Sequence, residues 1–245
     1  MLIQIFFFDH RRALRIIRGM IREKVAARLW VPGTHIIPFS RYAGPELRLV
    51  QKGCSYLGVG AESGSDAVLK EIGKNITVRQ VTDFNRKIKE YGITVNYNFM
   101  SGFRGETVDD LASTIRLMLD LIRQNPNAIG GPVNPVQILP RTQVYKQAVH
   151  DGLPPPRRLE DWIQFNSTLG SKLGHLPWVD AERAGLLRGI YISSLFLNDQ
   201  SSYLHTKALK PVHKLFRRIS EYRLRNLAFG LMPERAVYNA LEGLL

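Results

Sequence analysis

Apolar positions along the chain switch between two periods. Residues 2–8 form an apolar run interrupted only by Gln4, which suits a strand covered on both faces, and behind it Ala13, Ile17, Met20 and Ile21 recur at helical spacing through residues 10–24. Residues 28–31 predict a weak second strand ending at Pro32-Gly33, and residues 45–52 a short helix closed by Gly53. The third strand, residues 55–61, carries Tyr56, Leu57 and Val59 between glycines and breaks at Glu62-Ser63-Gly64-Ser65. Thr77 with Gln80 has capping-box spacing, and behind it Val78, Val81, Phe84, Ile88 and Tyr91 form an apolar stripe ending at Gly92. Residues 93–101 read as a strand and 102–106 as its exit loop. Thr107 caps the helix that follows, its Asp109 and Asp110 suiting the positive end of the helix dipole and its Leu111, Ile115, Met118 and Ile122 facing a sheet. Residues 133–139 are the last strand and 142–149 the last helix of this pattern.

Strands alternating with amphipathic helices require crossovers and a parallel sheet, so about five β/α units fill the first 150 residues or so. An open sheet and a barrel both fit. In either, ligands lie at the C-terminal ends of the strands, which singles out the loops beginning at Asp9, Glu62, Gly102 and Pro140. After Pro154-Pro155-Pro156 no further strand is expected. The chain turns helical and basic through residues 180–197, 207–227 and 233–244, giving a domain at 1–155 and a helical extension at 156–245.

Composition narrows this picture. No apolar run approaches the roughly 18 residues of a membrane span, and no charged segment or cleavage site brackets residues 3–8, so a cytoplasmic protein without a signal peptide is expected. The formal charge of +13 admits anionic partners, nucleic acid or an acidic membrane. Their first candidate surface is residues 207–225, with seven basic residues and one acid, Glu221, and with Val212, Leu215, Phe216 and Ile219 on another face. A helix packed on its own domain is the competing reading. The single cysteine, Cys54, excludes an internal disulfide and any cysteine-rich metal site supplied by this sequence alone. His10, His35, His150, His175, His205 and His213 are scattered, without the spacing that puts two ligands on one helix face.

Two loops carry candidate chemistry. In Gly58-Val59-Gly60-Ala61-Glu62-Ser63-Gly64-Ser65 the glycines allow close backbone approach to a ligand. Glu62 can accept two hydrogen bonds from a ribose diol, and Ser63 and Ser65 can bond at the rim; the plainer alternative is a strand exit with Ser65 capping a helix. In Ser101-Gly102-Phe103-Arg104-Gly105-Glu106-Thr107, glycine gives approach and a helix N-terminus offers free N–H groups to an anion.

Taken together, these words resemble the radical S-adenosylmethionine superfamily, especially its branch with a cobalamin-binding domain before the barrel. The matching pieces are residues 56–65, the helix entry Ile76-Thr77-Val78-Arg79-Gln80-Val81, the turn Glu90-Tyr91-Gly92-Ile93, and Gly102-Phe103-Arg104-Gly105-Glu106-Thr107. Leu139-Pro140-Arg141-Thr142-Gln143-Val144-Tyr145 resembles the final strand and turn. The resemblance covers residues 1 to about 155. It implies an α/β fold, an incomplete parallel (β/α) barrel of about five of six units followed by the helical tail. It also implies S-adenosylmethionine bound to a [4Fe–4S] cluster and cleaved to a 5′-deoxyadenosyl radical. Carried over by motif, Glu62, Ser63 and Ser65 would contact the ribose or methionine moiety, Gly102 would flank the adenine, and Gln137, Ile138 and Leu139 would line it; Asp9 matches an acidic position of the family. Arg104 stands where the branch has proline, which leaves that loop either less rigid or tied to an acidic group.

The departure from the family is the cluster loop. The three cysteines of CxxxCxxC are not in this sequence, and Cys54, placed before a strand, reads as a packed residue. The expectation is therefore a fragment of a cobalamin-associated methyltransferase or cyclase, inactive alone, whose partner is a missing N-terminal half carrying the cobalamin domain and cluster loop and whose substrate is a small organic molecule. The alternative is a non-catalytic basic module. The first reading requires the Glu62 carboxylate to face the ligand rim and not to be held in an unrelated ion pair.

Overall fold

The computed structural model describes residues 6–165, 176–197, 210–233 and 235. Compactness divides the chain into one unit of residues 1–99 and 116–131 and another of residues 100–115 and 132–245. The sequence pattern instead breaks near residue 155.

In the first unit, α1 (His10–Arg22) starts where the Asp9 carboxylate accepts the Arg12 N–H at 2.9 Å, and it buries Ala13, Leu14 and Ile17. Strands β1 (Leu29–Thr34) and β2 (Cys54–Glu62) pair in parallel across α2 (Gly44–Gly53). A short helix, α3 (Asp66–Glu71), and then α4 (Val78–Lys89) lead to β3 (Thr94–Ser101), which pairs in parallel with β2. The capping box at the head of α4 forms as expected: Gln80 N–H donates to Thr77 Oγ1 at 3.2 Å and Thr77 N–H to Gln80 Oε1 at 2.9 Å. α5 (Val108–Gln124) and β4 (Ala128–Pro135) complete a sheet of order β1-β2-β3-β4. The expected α/β class, a parallel sheet alternating with helices, is the one observed.

The core of this unit is aromatic and aliphatic, with Phe7, Phe39, Tyr42, Phe84 and Tyr97 in edge-on, tilted or stacked ring contacts. Inside it sits a polar knot. Asn85 Oδ1 accepts from Tyr97 OH and from Asn125 Nδ2, both at 3.0 Å, and Asn85 Nδ2 donates to the Leu121 carbonyl at 3.1 Å, so the buried groups satisfy one another.

Two strand expectations need correction. Phe6, Phe7 and Phe8 form a turn, not the end of a strand, with Phe7 buried against Phe39; the remainder of that expected strand, residues 2–5, lies outside the described residues. The strand expected at 133–139 is β4, which begins at Ala128 and ends at Pro135. Gly130-Gly131-Pro132 looks like a breaker, yet each glycine permits close packing inside the strand. A Cβ on Gly130 would fall 2.7 Å from Ile122 Cδ1, and one on Gly131 3.0 Å from the Tyr97 carbonyl oxygen.

In the second unit, α6 (Gln143–His150) is capped by Thr142, whose Oγ1 accepts the Tyr145 N–H at 3.2 Å. α7 (Ala181–Leu195) is buried over most of its C-terminal half, and Ser194 Oγ accepts the Val133 N–H of β4 at 3.0 Å. α8 (Lys210–Asn226) packs on α7 by Phe216 against Phe196, with ring centroids 5.5 Å apart. Leu215, expected on the apolar face of α8, is exposed, and Glu221 is paired with Arg225 at 2.7 Å. The helix expected at 233–244 falls almost wholly outside the described residues. No helix among the described residues is long and apolar enough to cross a membrane.

Candidate functional site

The first group of site residues lies where β2 ends. The β2–β3 register slips between Gly60 and Glu62, so Glu62 pairs with Phe99, and the backbone at Glu62 takes a left-handed φ of 62°. A non-glycine residue held there by a bulge is strained, and bulges of this kind re-aim side chains near ligand sites. Here the Glu62 side chain enters a cavity of about 310 Å³ lined by Thr34, His35, Gly60, Lys74 and Asn98 together with Phe8 and the Pro32-Gly33 backbone.

Lys74 reaches this cavity through the short helix α3. Ser65 opens the helix, its Oγ accepting the Val68 N–H at 3.4 Å, and Gly73, at φ 69°, closes it so that Lys74 N–H bonds back to the Leu69 carbonyl at 2.9 Å. The ammonium then donates to Glu62 Oε1 at 2.7 Å. The carboxylate therefore faces the cavity and is paired there, with a partner that is itself part of the wall. Gly60 makes room for the pair: a Cβ at that position would lie 2.3 Å from Glu62 Oε1 and 2.8 Å from Lys74 Nζ.

Two further groups set the polarity of the cavity. His35 Nδ1 accepts the Ile37 N–H at 3.3 Å, and burial, then the nearby Lys74 charge, lowers the ring's pKa, which favours neutral imidazole. Thr34 Oγ1 is buried and, among the described residues, has no hydrogen-bond partner.

The neighbouring motif positions serve the protein's own turn. Ser63 is fully buried; its N–H donates to the Ala61 carbonyl at 2.8 Å and its Oγ accepts the Ser65 N–H at 3.1 Å. Ser65 is the cap of α3, which is the plainer of the two readings of that residue. Asp9 caps α1 and does not line the cavity, although the adjacent Phe8 does. Lys74 is the residue that motif reading missed; its signal was Gly73, a stop just beyond a short helical pattern.

The second group lies in the other unit, at the exit of β3. Gly102, at φ 85°, has its backbone fully engaged: its N–H donates to Glu106 Oε2 at 2.6 Å and its carbonyl accepts Trp178 Nε1 at 3.0 Å. A Cβ at Gly102 would meet Leu187 Cδ1 at 3.1 Å, so the glycine packs against apolar side chains. Glu106 is buried, its Oε1 has no partner among the described residues, and Arg183 lies 3.6 Å from Oε2 while donating to the Glu106 carbonyl. Arg104 does meet an acid: its guanidinium contacts Asp151 at 2.6 and 3.2 Å. Hydrogen bonds from His150 and then Arg104 hold the Asp151 carboxyl below the usual range. Past the end of β4, Ile138 is buried, Gln137 half-buried and Leu139 exposed, so these residues belong to an irregular segment.

A cluster site does not fit these residues. Cys54 is buried, its thiol donates to the Tyr56 carbonyl at 3.2 Å, and burial pushes its pKa up to about 11, the opposite of a metal-ready thiolate. Among the described residues no three His, Cys, Asp or Glu side chains gather as a metal site.

A parallel α/β sheet with a strained acidic residue at a strand exit is the geometry that the motif words led to, and residues 14–118 match the Radical SAM superfamily. That stretch of the chain is similar to the superfamily over less than half of the sequence. Among curated relatives, it is similar to the tRNA-2-methylthio-N(6)-dimethylallyladenosine synthase of Klebsiella pneumoniae, 36% identical over 69 residues, which are 27% of this chain and 15% of that protein. It is also similar to an uncharacterized methyltransferase of Pyrococcus horikoshii, 27% identical over 111 residues, 45% of this chain and 24% of the relative. The aligned parts thus span less than a quarter of either relative. Among solved structures, the fold matches the cobalamin-dependent S-adenosylmethionine radical enzyme OxsB with TM-score 0.52 and 16% identity, over 96% of this chain and 40% of that one.

Proposed function

We propose that this chain supplies the S-adenosylmethionine cradle of a radical SAM enzyme of the cobalamin-associated methyltransferase or cyclase type, acting in the cytoplasm on a small organic substrate. The observation that supports this most is the Glu62–Lys74 pair in its cavity. Methionine-type ligands carry an ammonium and a carboxylate on one carbon, and such a zwitterion can replace the internal pair by setting its ammonium on Glu62 and its carboxylate on Lys74. The exchange conserves charge, so the desolvation already met in forming the pair is not met again. Thr34 Oγ1 and Asn98 would then bond the polar parts of the ligand, and neutral His35 would leave its cationic sulfonium unopposed. A volume of about 310 Å³ is at the lower end for small-molecule sites.

S-adenosylmethionine brings the reactive sulfonium; what these residues contribute is binding, orientation and exclusion of water. Because Cys54 cannot hold a cluster, the thiolates and the cobalamin site would come from polypeptide outside these 245 residues, and the chain by itself would be inactive.

Calorimetric titration with S-adenosylmethionine tests the cradle. Binding by the wild type should weaken at least about tenfold in Glu62→Ala and in Lys74→Met, the loss expected when one partner of a half-buried charge pair is removed. Gly60→Ala should weaken it too, through the collision with both side chains. Absence of heat from the wild type, or unchanged affinity in Glu62→Ala, removes this reading.

A further inference from the structure

α1 carries five arginines in 13 residues and no acid. Its apolar face, Ala13, Leu14 and Ile17, is spent in the core of the first unit, which fixes what the opposite face presents. At about 100° per residue, Arg11, Arg15, Arg18 and Arg22 fall within an arc of roughly 60°, and about 1.5 Å of rise per residue spreads them along some 16 Å of helix axis. All four are exposed. Arg22 pairs with Glu23, itself exposed, and among the described residues Arg11, Arg15 and Arg18 make no ion pair; Arg18 interacts by charge with Glu46 of α2, which is itself bound by Ala43 N–H and His10.

We infer that this arginine ladder is a docking surface for the phosphodiester backbone of a nucleic acid. Guanidinium groups at steps of three and four residues form a rigid row of planar, always charged donors, the geometry that phosphate oxygens accept in pairs. The net charge of +13 adds long-range attraction. An acidic membrane fits less well, because an interfacial helix needs its apolar face for the acyl chains and α1 has none to give. The exposed Ile16 and Ile21 lie on opposite sides of the ladder, not as one insertion face. The contacts are to backbone and carry no sequence preference, so folded RNA and duplex DNA are both ligands of this chemistry. α8 is the lesser surface, since Phe216 and the Glu221–Arg225 pair commit part of it to its own unit.

The test is fluorescence anisotropy of the full chain with a labelled RNA stem-loop and a labelled DNA duplex across 50 to 200 mM salt, beside sedimentation with phosphatidylserine vesicles. Arg11→Gln/Arg15→Gln/Arg18→Gln/Arg22→Gln is compared with Lys210→Gln/Lys214→Gln/Arg217→Gln/Arg218→Gln, which removes the same charge from α8. Four phosphate contacts correspond to a slope of about −3.6 in log affinity against log salt on a duplex, so the α1 variant should lose roughly three to four from the slope and on the order of 100-fold in low-salt affinity. The α8 variant should keep most of both. Glutamine is close to arginine in helix propensity, and an unchanged circular dichroism spectrum confirms the fold. Equal losses in the two variants, no binding by the wild type, or binding to vesicles alone would each overturn the inference.

Discussion

Gly58→Ala should destabilise the first unit by about 3 kcal/mol or more and leave most of the protein insoluble at 37 °C. Pro32-Gly33 form a bulge in β1: Val31 pairs with Leu57 and Thr34 with Val59, so two residues stand opposite Gly58 alone. The bulge suits proline, which has no N–H to give the ladder. It also carries the Pro32 carbonyl over Gly58, where a Cβ would lie 2.0 Å from the oxygen and 2.6 Å from its carbon. The obstacle is backbone within a paired strand, so relief means pulling β1 off β2, which costs more than the usual 1–3 kcal/mol of overpacking. Thr34 and His35 would move with it, and S-adenosylmethionine affinity should fall as well. Gly19→Ala is the control: nothing lies within 4 Å of a Cβ there, and in the middle of α1 the change should stabilise by about 0.5–1 kcal/mol. A Gly58→Ala chain whose denaturant midpoint equals that of wild type would show that β1 is not held as described.

The difference between these two glycines marks how far the chain could be read without coordinates. Elements whose signals are local were legible. The Thr77–Gln80 box spans three residues and sets the start of α4, and the alternation through β3 and the stripe on α5 report burial directly. Where a residue's meaning depends on a distant neighbour, the pattern misleads. Gly130-Gly131 reads as a break because glycine is a weak strand former, and only the approach of Ile122 and Tyr97 shows why it is needed.

The site divides the same way. Glu62 stood out by its motif, but its partner comes from twelve positions on, by way of a left-handed Gly73, and no periodicity links the two. Gly102 was expected to offer its backbone to a ligand. The protein takes both polar groups itself, one with Glu106 four residues away and the other with Trp178 from the far side of the sequence. Arg104 required an acid or a looser loop, and the acid proved to be Asp151, on the last turn beyond α6.

That engaged loop leads to the second large effect, a loss of stability in the other unit as pH rises toward neutrality. Burial is the dominant influence on Glu106 and raises its pKa from 4.5 to about 7. The Gly102 N–H and the Arg183 guanidinium act against the rise, and Asp110 adds to it. An acid that holds its proton more tightly when folded than when unfolded contributes its full stability below the unfolded pKa. It loses that contribution as pH climbs through the folded value. Between pH 4.5 and 8 the loss should approach roughly 3 kcal/mol, a shift of about 2.5 units at 1.36 kcal/mol each. His35 in the first unit works in the other direction, since a base with a lowered pKa costs stability as pH falls. Urea unfolding from pH 5 to 8, followed by the fluorescence of Trp178 in a Trp30→Phe/Trp162→Phe background, isolates the second unit because that indole bonds to the same loop. The wild type should weaken steadily from the acid end and level off above about pH 7, where both states have lost the proton. Glu106→Gln keeps an acceptor for Gly102 and loses the titration, so its profile should be flat; a slope that persists in the glutamine variant would assign the effect to another group.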